Sequence, residues 1–287
     1  MIRLDFLLDQ VRNSSGNTDV NAIKDDEIVQ YFNDGQERIQ SLIVQKYPRL
    51  FTKESVIALT LNEDEYDLPT DVFTPHRIRC VERTDTNSDG YYRLPRINPI
   101  ERNRLHGYFL RENKLILDRE SRISNSIGLR IQYVKKIPKI DIRRGQITSL
   151  SPLTVDTGTV PENTDFNVDY ISIVDKDGTQ NVTGIYITGY TAGTGVIATT
   201  ATLTGASIGD YVVYGTYAST HSELPDVMEK YLLEYAAMRL FHRDSSVDIA
   251  TQSQLLLSVE NELEQLFSDD HEDVKEVVIK DFDYLVF

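Results

Sequence analysis

The segment from Ser222 to Phe267 constrains the fold most, because it holds two runs of helical period separated by a short polar break. In the first run Val227, Met228, Tyr231, Leu232, Tyr235, Met238 and Phe241 recur three and four apart, which places them on one stripe of a helix. Leu224-Pro225-Asp226 has the chemistry of a helix entry, with proline tolerated in the first turn and an acid suiting the dipole. Arg239, His242 and Arg243 gather at the opposite end, where cations are favoured. The second run carries Ile249, Leu255, Leu256, Val259, Leu263, Leu266 and Phe267. Joined by the loop Asp244 to Val247, two such helices fold back as an antiparallel pair. A pair cannot cover two apolar faces by itself, so a third element is required.

That element lies near the other terminus. Asp25, Asp26 and Glu27 load the first turn of a predicted helix whose stripe is Ile28, Tyr31, Phe32, Ile39, Leu42 and Ile43, and Pro48 stops it. Gly35 falls in mid-helix at a cost of about 1 kcal/mol against alanine, which is compensated if it permits a close helix approach. Ahead of it stand an apolar-rich start (Ile2, Leu4, Phe6, Leu7, Leu8, Val11) and a loop composition, N-S-S-G-N-T-D.

Composition narrows the class. The 287 residues, 40% hydrophobic, suit one large core or two modest ones. No apolar run reaches the roughly 20 residues of a membrane helix, so no membrane association is expected, and the start lacks the pattern of a signal peptide. The single Cys80 leaves no intrachain disulfide and fits synthesis in a reducing compartment. The net charge of -15 is uneven: residues 77–144 carry 17 basic against 8 acidic side chains, and both flanks are acidic. A basic middle between acidic ends points to self-complementary assembly or to one positive face on an anionic particle.

From residue 54 the period changes. S-V-I-A-L-T-L, R-I-R-C-V-E-R, Y-Y-R-L-P, Y-F-L-R-E-N-K-L-I-L-D and S-I-G-L-R-I-Q-Y-V-K-K-I-P read as short strands, with Glu112-Asn113 as a tight hairpin turn and Asn98 capping a short helix that begins at Pro99. Residues 145–216 are rich in Gly, Thr, Val and Ile, hold only Lys176 as a base, and turn at Asp177-Gly178, Gly193 to Gly195 and Gly205 to Gly209. These patterns predict an α+β protein: a helical bundle core made of the N-terminal helix plus the C-terminal helix pair, a β-strand region, and an inserted small all-β barrel or sandwich domain. The expected divisions are 1–144 plus 217–267 for the core, 145–216 for the inserted domain, and 268–287 for a C-terminal docking tail.

Few constellations carry chemistry. Asp85 to Gly90 copies half of an EF-hand loop, but the position of the bidentate glutamate is Arg96. Gly189 to Gly195 lacks the Lys-Ser/Thr of a phosphate loop, the five histidines have no ligand spacing with Cys80, and no nucleophile elbow occurs. No catalytic residue, metal or cofactor is therefore assigned. The basic residues Arg93, Arg96, Arg102, Arg104 and Arg111, with Lys135, Lys136, Lys139, Arg143 and Arg144, form either solvated strand faces with internal ion pairs or a strip facing subunits or DNA phosphates. The last residues end apolar at Phe282, Tyr284, Leu285 and Phe287, so this tail is expected to dock, on its own body or on a neighbour or partner.

The order of parts resembles a known family. D-D-E-I-V-Q-Y-F-N-D-G-Q-E-R-I, then E-Y-D-L-P-T-D-V, a strand ending I-Q-Y-V-K-K-I-P, and E-L-P-D-V-M-E-K-Y-L-L-E-Y-A-A-M-R-L are similar to the head-to-tail adaptor (connector) proteins of tailed bacteriophages. The likeness covers residues 24–144 and 222–267. It implies a structural virion protein of the neck, assembled in the host cytoplasm as a ring, typically a dodecamer, beneath the portal. The implied partners are further copies of itself, the portal protein through the C-terminal tail, downstream tail or neck proteins, and genomic DNA passing through the lumen without sequence specificity. Residues 145–216 depart from the family. They leave open a tail-fibre or receptor-binding component, or a carbohydrate-active enzyme whose aromatic platform would be Tyr170, Tyr186, Tyr190 and Tyr211.

Overall fold

A computed structural model describes residues 2–15, 23–46, 48–85, 90–101, 106–161, 164–200 and 202–244, with five further residues between 254 and 265. Strand β1 (Ile2–Arg3) leads into α1 (Leu4–Ser15), and α2 spans Asp25–Lys46. Then come β2 (Thr52–Leu59), β3 (Glu65–Asp67), β4 (Ile78–Arg83), β5 (Tyr92–Leu94), β6 (Tyr108–Arg111), β7 (Lys114–Leu117), β8 (Asn125–Val134) and β9 (Lys139–Ile140). Next are β10 (Gly145–Leu150), β11 (Leu153–Val155), β12 (Tyr170–Val174), β13 (Gln180–Thr191), β14 (Val196–Thr199) and β15 (Tyr211–Tyr214). β16 (Ala218–Ser219) and β17 (His221–Ser222) return to α3 (Glu229–Asp244).

The expected α+β fold with a helical bundle core is corrected by this architecture. The protein is mostly β, 38% strand against 26% helix, with three helices among the described residues, a six-stranded barrel and several sheets. Sequence periodicity favoured the helices because a long amphipathic run is a strong signal, whereas strands of two to six residues each carry a weak one. Of the second helix of the expected C-terminal pair, Gln254, Leu257, Ser258, Asn261 and Gln265 are described and are helical, whereas its stripe residues Ile249, Leu255, Leu256, Val259, Leu263, Leu266 and Phe267 lie outside the described residues.

The helices form one layer of a mixed core. Leu4, Leu7 and Val11 of α1, Ile28, Phe32, Ile39 and Ile43 of α2, and Tyr231, Leu232, Ala236 and Leu240 of α3 are buried together with Phe51, Val134, Ile137 and Ile140 from the β region. Gly35 allows the close approach of α2 to α3, since a Cβ there would lie 2.9 Å from Cδ1 of Tyr235. Next to this layer, the antiparallel sheet β2-β8-β4-β5 shares a second core with the sheet β3-β7-β6. Leu59, Val81, Leu129, Ile131 and Tyr133 come from the larger sheet, and Tyr66, Tyr108, Leu115 and Leu117 from the smaller. Glu112 takes φ 54° in the β6–β7 turn, and Asn98 Oδ1 accepts from the Ile100 N–H at 3.2 Å, as the turn and cap signals require.

Strands β10 to β15 close into a barrel in the order β10-β11-β14-β13-β12-β15. Alternating residues (Ile171 and Ile173, Ile185 and Ile187) point inward with Ile147, Val155, Ile197 and Val212, and Phe166 plugs the interior against Tyr190 at 4.6 Å. The barrel leaves the body after β9 and rejoins it at β16, and these two strands pair in parallel, Ala218 with Lys139 and Ser219 with Ile140. The chain start closes the same region, with Ile2 opposite Ser222 and Arg3 opposite His221.

Candidate functional site

The residues from Lys135 to Arg144 form a strap between β8 and the barrel, and α2 holds it by side-chain amides. Asn33, Gln36 and Gln40 are three and four residues apart, so they line one stripe of α2 beside its apolar stripe. Asn33 Nδ2 donates to the Ile140 carbonyl (2.8 Å) while its Oδ1 accepts from the Ile140 N–H (2.7 Å). Gln36 Nε2 donates to the Pro138 carbonyl (2.7 Å), and its Oε1 accepts from the Ser222 hydroxyl (2.7 Å). Gln40 Nε2 donates to the Lys135 carbonyl (2.8 Å), and its Oε1 accepts from the Ile137 N–H (3.3 Å). An amide side chain offers both a donor and an acceptor, so it satisfies a strand backbone as a neighbouring strand would. No sequence signal marked these residues, because polar positions beside an apolar stripe read as solvent-facing.

At the far end of the strap Arg144 fastens the barrel to the body. Its guanidinium is buried, 5% exposed. It donates to both oxygens of buried Asp141 (3.0 and 2.6 Å), pairs with Asp26 of α2, and lies 4.2 Å from the ring centre of Tyr214 at the end of β15. Asp141 also accepts the Tyr214 N–H at 2.7 Å. Burial by itself would lower the Arg144 pKa, but the hydrogen bonds and charges of Asp141 and Asp26 outweigh it and hold the group charged. Arg143 sits over Tyr211 (4.3 Å) and donates to the Lys176 carbonyl (3.0 Å), which ties the β12–β13 hairpin to the same junction.

The segment E-Y-D-L-P-T-D acts as a clasp on the other side. Tyr133 donates its hydroxyl to Asp71 Oδ1 (2.6 Å), Lys53 donates to Oδ2 (2.7 Å), and the Asp71 carbonyl accepts the Lys136 N–H (2.6 Å). Burial and then the Asp71 hydrogen bond push the Tyr133 hydroxyl far upward, so it stays a donor. Lys135 pairs with Glu223 ahead of α3.

Between α2 and the strap runs a groove of ≈ 520 Å³, lined among others by Asp34 and Glu37 of α2, Phe73, and Lys136 and Lys139 of the strap. The basic residues singled out in the sequence thus separate. Lys136 and Lys139 are exposed on the groove, and Lys135, Arg143 and Arg144 serve internal contacts. Arg93 and Arg96 are exposed on and just after edge strand β5; Arg93 stands opposite Glu82 in the strand register, and the Glu82 carboxylate binds Arg130 (2.6 Å). Arg111 pairs with Glu65. Arg102, Arg104 and the tail residues Phe282, Tyr284, Leu285 and Phe287 lie outside the described residues. Of the four barrel tyrosines, Tyr170 and Tyr186 form an exposed edge-on pair at 5.4 Å, Tyr190 packs on Phe166, and Tyr211 lies under Arg143. They do not form one platform. Among the described residues no cluster of His, Cys, Asp or Glu is placed to hold a metal ion, and no helix is long and apolar enough to cross a membrane.

Residues 4–143, just under half of the chain, match the family described as SU10 adaptor protein. Among curated proteins no sequence matches this chain. The matched span begins with α1, contains α2, the clasp and both sheets, and ends inside the strap, one residue before Arg144. The match supports a phage adaptor protein.

Proposed function

We propose that this chain is the repeating subunit of a head-to-tail connector ring beneath the portal, joining capsid to tail and forming part of the conduit through which genomic DNA passes. The observation that carries this reading is the adaptor match, whose span covers α1, α2, the paired sheets and all but the last residue of the strap that α2 grips. In this reading a body fastened by buried polar contacts serves as a rigid ring segment, and unlike charge on its surfaces suits head-to-tail contacts that close by rotation. The exposed Arg93, Arg96, Lys136 and Lys139 then face neighbouring subunits or the phosphates of passing DNA, a contact without sequence preference. The tail residues 268–287 reach the portal, and the barrel projects from the ring toward tail or neck components.

Electron microscopy of the purified protein, alone and mixed with portal, tests this. Rings with a central channel that stack on portal particles are the expected outcome. A protein that stays monomeric with portal, or forms trimeric rods, overturns the reading.

A further inference from the structure

Charge in this protein is divided between body and barrel. Residues 77–144, which supply most strands of the two sheets, hold 17 basic against 8 acidic side chains, whereas residues 145–216, which build the barrel, hold seven acids against Lys176 alone. Among the described residues no ion pair joins a barrel carboxylate to the body. Opposite charges that stay apart within one copy attract between copies.

Each part presents a patch where this charge meets suitable surface chemistry. On the barrel Tyr170 of β12 stands opposite Tyr186 of β13, and the two rings, 41% and 44% exposed, meet edge-on at 5.4 Å. Asp169 precedes the pair, and its carbonyl accepts the Ile187 N–H (3.0 Å), which sets its backbone beside β13 next to Tyr186. The carboxylates of Asp165 and Asp169 are exposed and have no ion pair among the described residues. An aromatic face bordered by carboxylates suits a guanidinium, which stacks on the ring and donates to the acid. The chain already stacks Arg130 on Tyr91, Arg143 on Tyr211 and Arg144 on Tyr214, at 4.2, 4.3 and 4.2 Å. The matching groups lie on the body. Arg93 and Arg96 are exposed and have no ion-pair partner among the described residues, while Glu82, opposite Arg93 in the register, is held by Arg130 (2.6 Å). Burial raises the Tyr108 hydroxyl and the charges of Arg96 and Arg93 oppose it, so both arginines lie near that ring.

We infer that the Tyr170–Tyr186 face of one copy docks on Arg93 and Arg96 of the next copy in the ring, with Asp165 and Asp169 on the guanidinium groups. The inference rests on the ring reading above and names one contact between its subunits. The two patches differ, so the contact is heterologous: each copy gives its barrel to one neighbour and its arginines to the other. The remaining strands of the barrel stay free for neck components.

Charge exchange between two full-length variants tests the contact. Asp165→Lys with Asp169→Lys reverses the barrel patch, and Arg93→Glu with Arg96→Glu reverses the body patch. Sedimentation velocity of the native chain at low and high salt gives the reference, and circular dichroism melts check that each variant folds. Each double variant alone is expected to associate with itself at least about tenfold more weakly, the scale of like charges facing across an interface. An equimolar mixture of the two is expected to recover rings, because the new lysines of one barrel then meet the new glutamates of the next body. Should a reversal misfold, Asp169→Asn and Arg93→Gln decide, each expected to weaken association about threefold. Folded variants that assemble as the native chain does, or weakened variants that the mixture does not rescue, overturn the proposal and leave the ring standing. A native chain that stays monomeric, alone and with portal, overturns the ring reading and this contact with it.

Discussion

Replacing Gln40 by leucine tests whether the strap is held by α2 through hydrogen bonds rather than by apolar packing. Gln40 is 2% exposed, and its amide serves the Lys135 carbonyl and the Ile137 N–H. Leucine keeps much of the volume but leaves both backbone groups without their protein partner, at about 1–3 kcal/mol each for buried groups. Its extra apolar surface returns about 1–2 kcal/mol. Mid-range values leave a net loss of about 2–3 kcal/mol, read from urea unfolding followed by circular dichroism. Hydrogen exchange adds a local reading, because the Ile137 amide should lose protection before the barrel does. Gln40→Glu sharpens the test: it keeps an acceptor for Ile137 but turns a second oxygen toward the Lys135 carbonyl, so it should also destabilise. A leucine variant that loses under about 1 kcal/mol, with Ile137 exchange unchanged, would refute the reasoning.

Gly35→Ala separates helix propensity from packing: propensity alone predicts a gain of about 1 kcal/mol, whereas the 2.9 Å approach to buried Tyr235 predicts a net loss of about 1–2 kcal/mol, measurable by thermal melting. Arg144→Met leaves the buried Asp141 carboxylate without its cation and should cost about 3–5 kcal/mol, whereas the double variant with Asp141→Leu should recover most of that. Burial raises the hydroxyls of Tyr66, Tyr108, Tyr133 and Tyr217 above the ordinary tyrosine value, with the charges of Glu223 and Asp71 adding to it at Tyr217. The unfolded chain then releases protons near pH 10 that the folded chain keeps, so the stability present below about pH 10 declines as pH rises beyond it. Phenolate absorbance should show these four titrating late, on unfolding; full ionisation of all sixteen tyrosines near pH 10 with the fold intact would contradict it.

What the sequence determined by itself was local. The stripes of α2 and α3, the entry at Leu224-Pro225, the Asn98 cap and the Glu112 turn were legible because each depends on residues within a few positions of one another. The Thr/Gly-rich stretch likewise declared its strands through its composition. The balance of helix and strand was not legible, since strands of two to four residues gain their stability from partners far along the chain and leave little periodic trace. Nor was the difference between Arg144, buried at the barrel junction, and Arg96, left in solvent, because the two side chains are the same in sequence and differ only in what folds around them. Asn33, Gln36 and Gln40 make the point most plainly: they are polar positions on an amphipathic helix until a strap from 95 to 107 residues away arrives. Its backbone donors and acceptors must be satisfied once water is excluded, and only the tertiary structure could decide that these amides would do it.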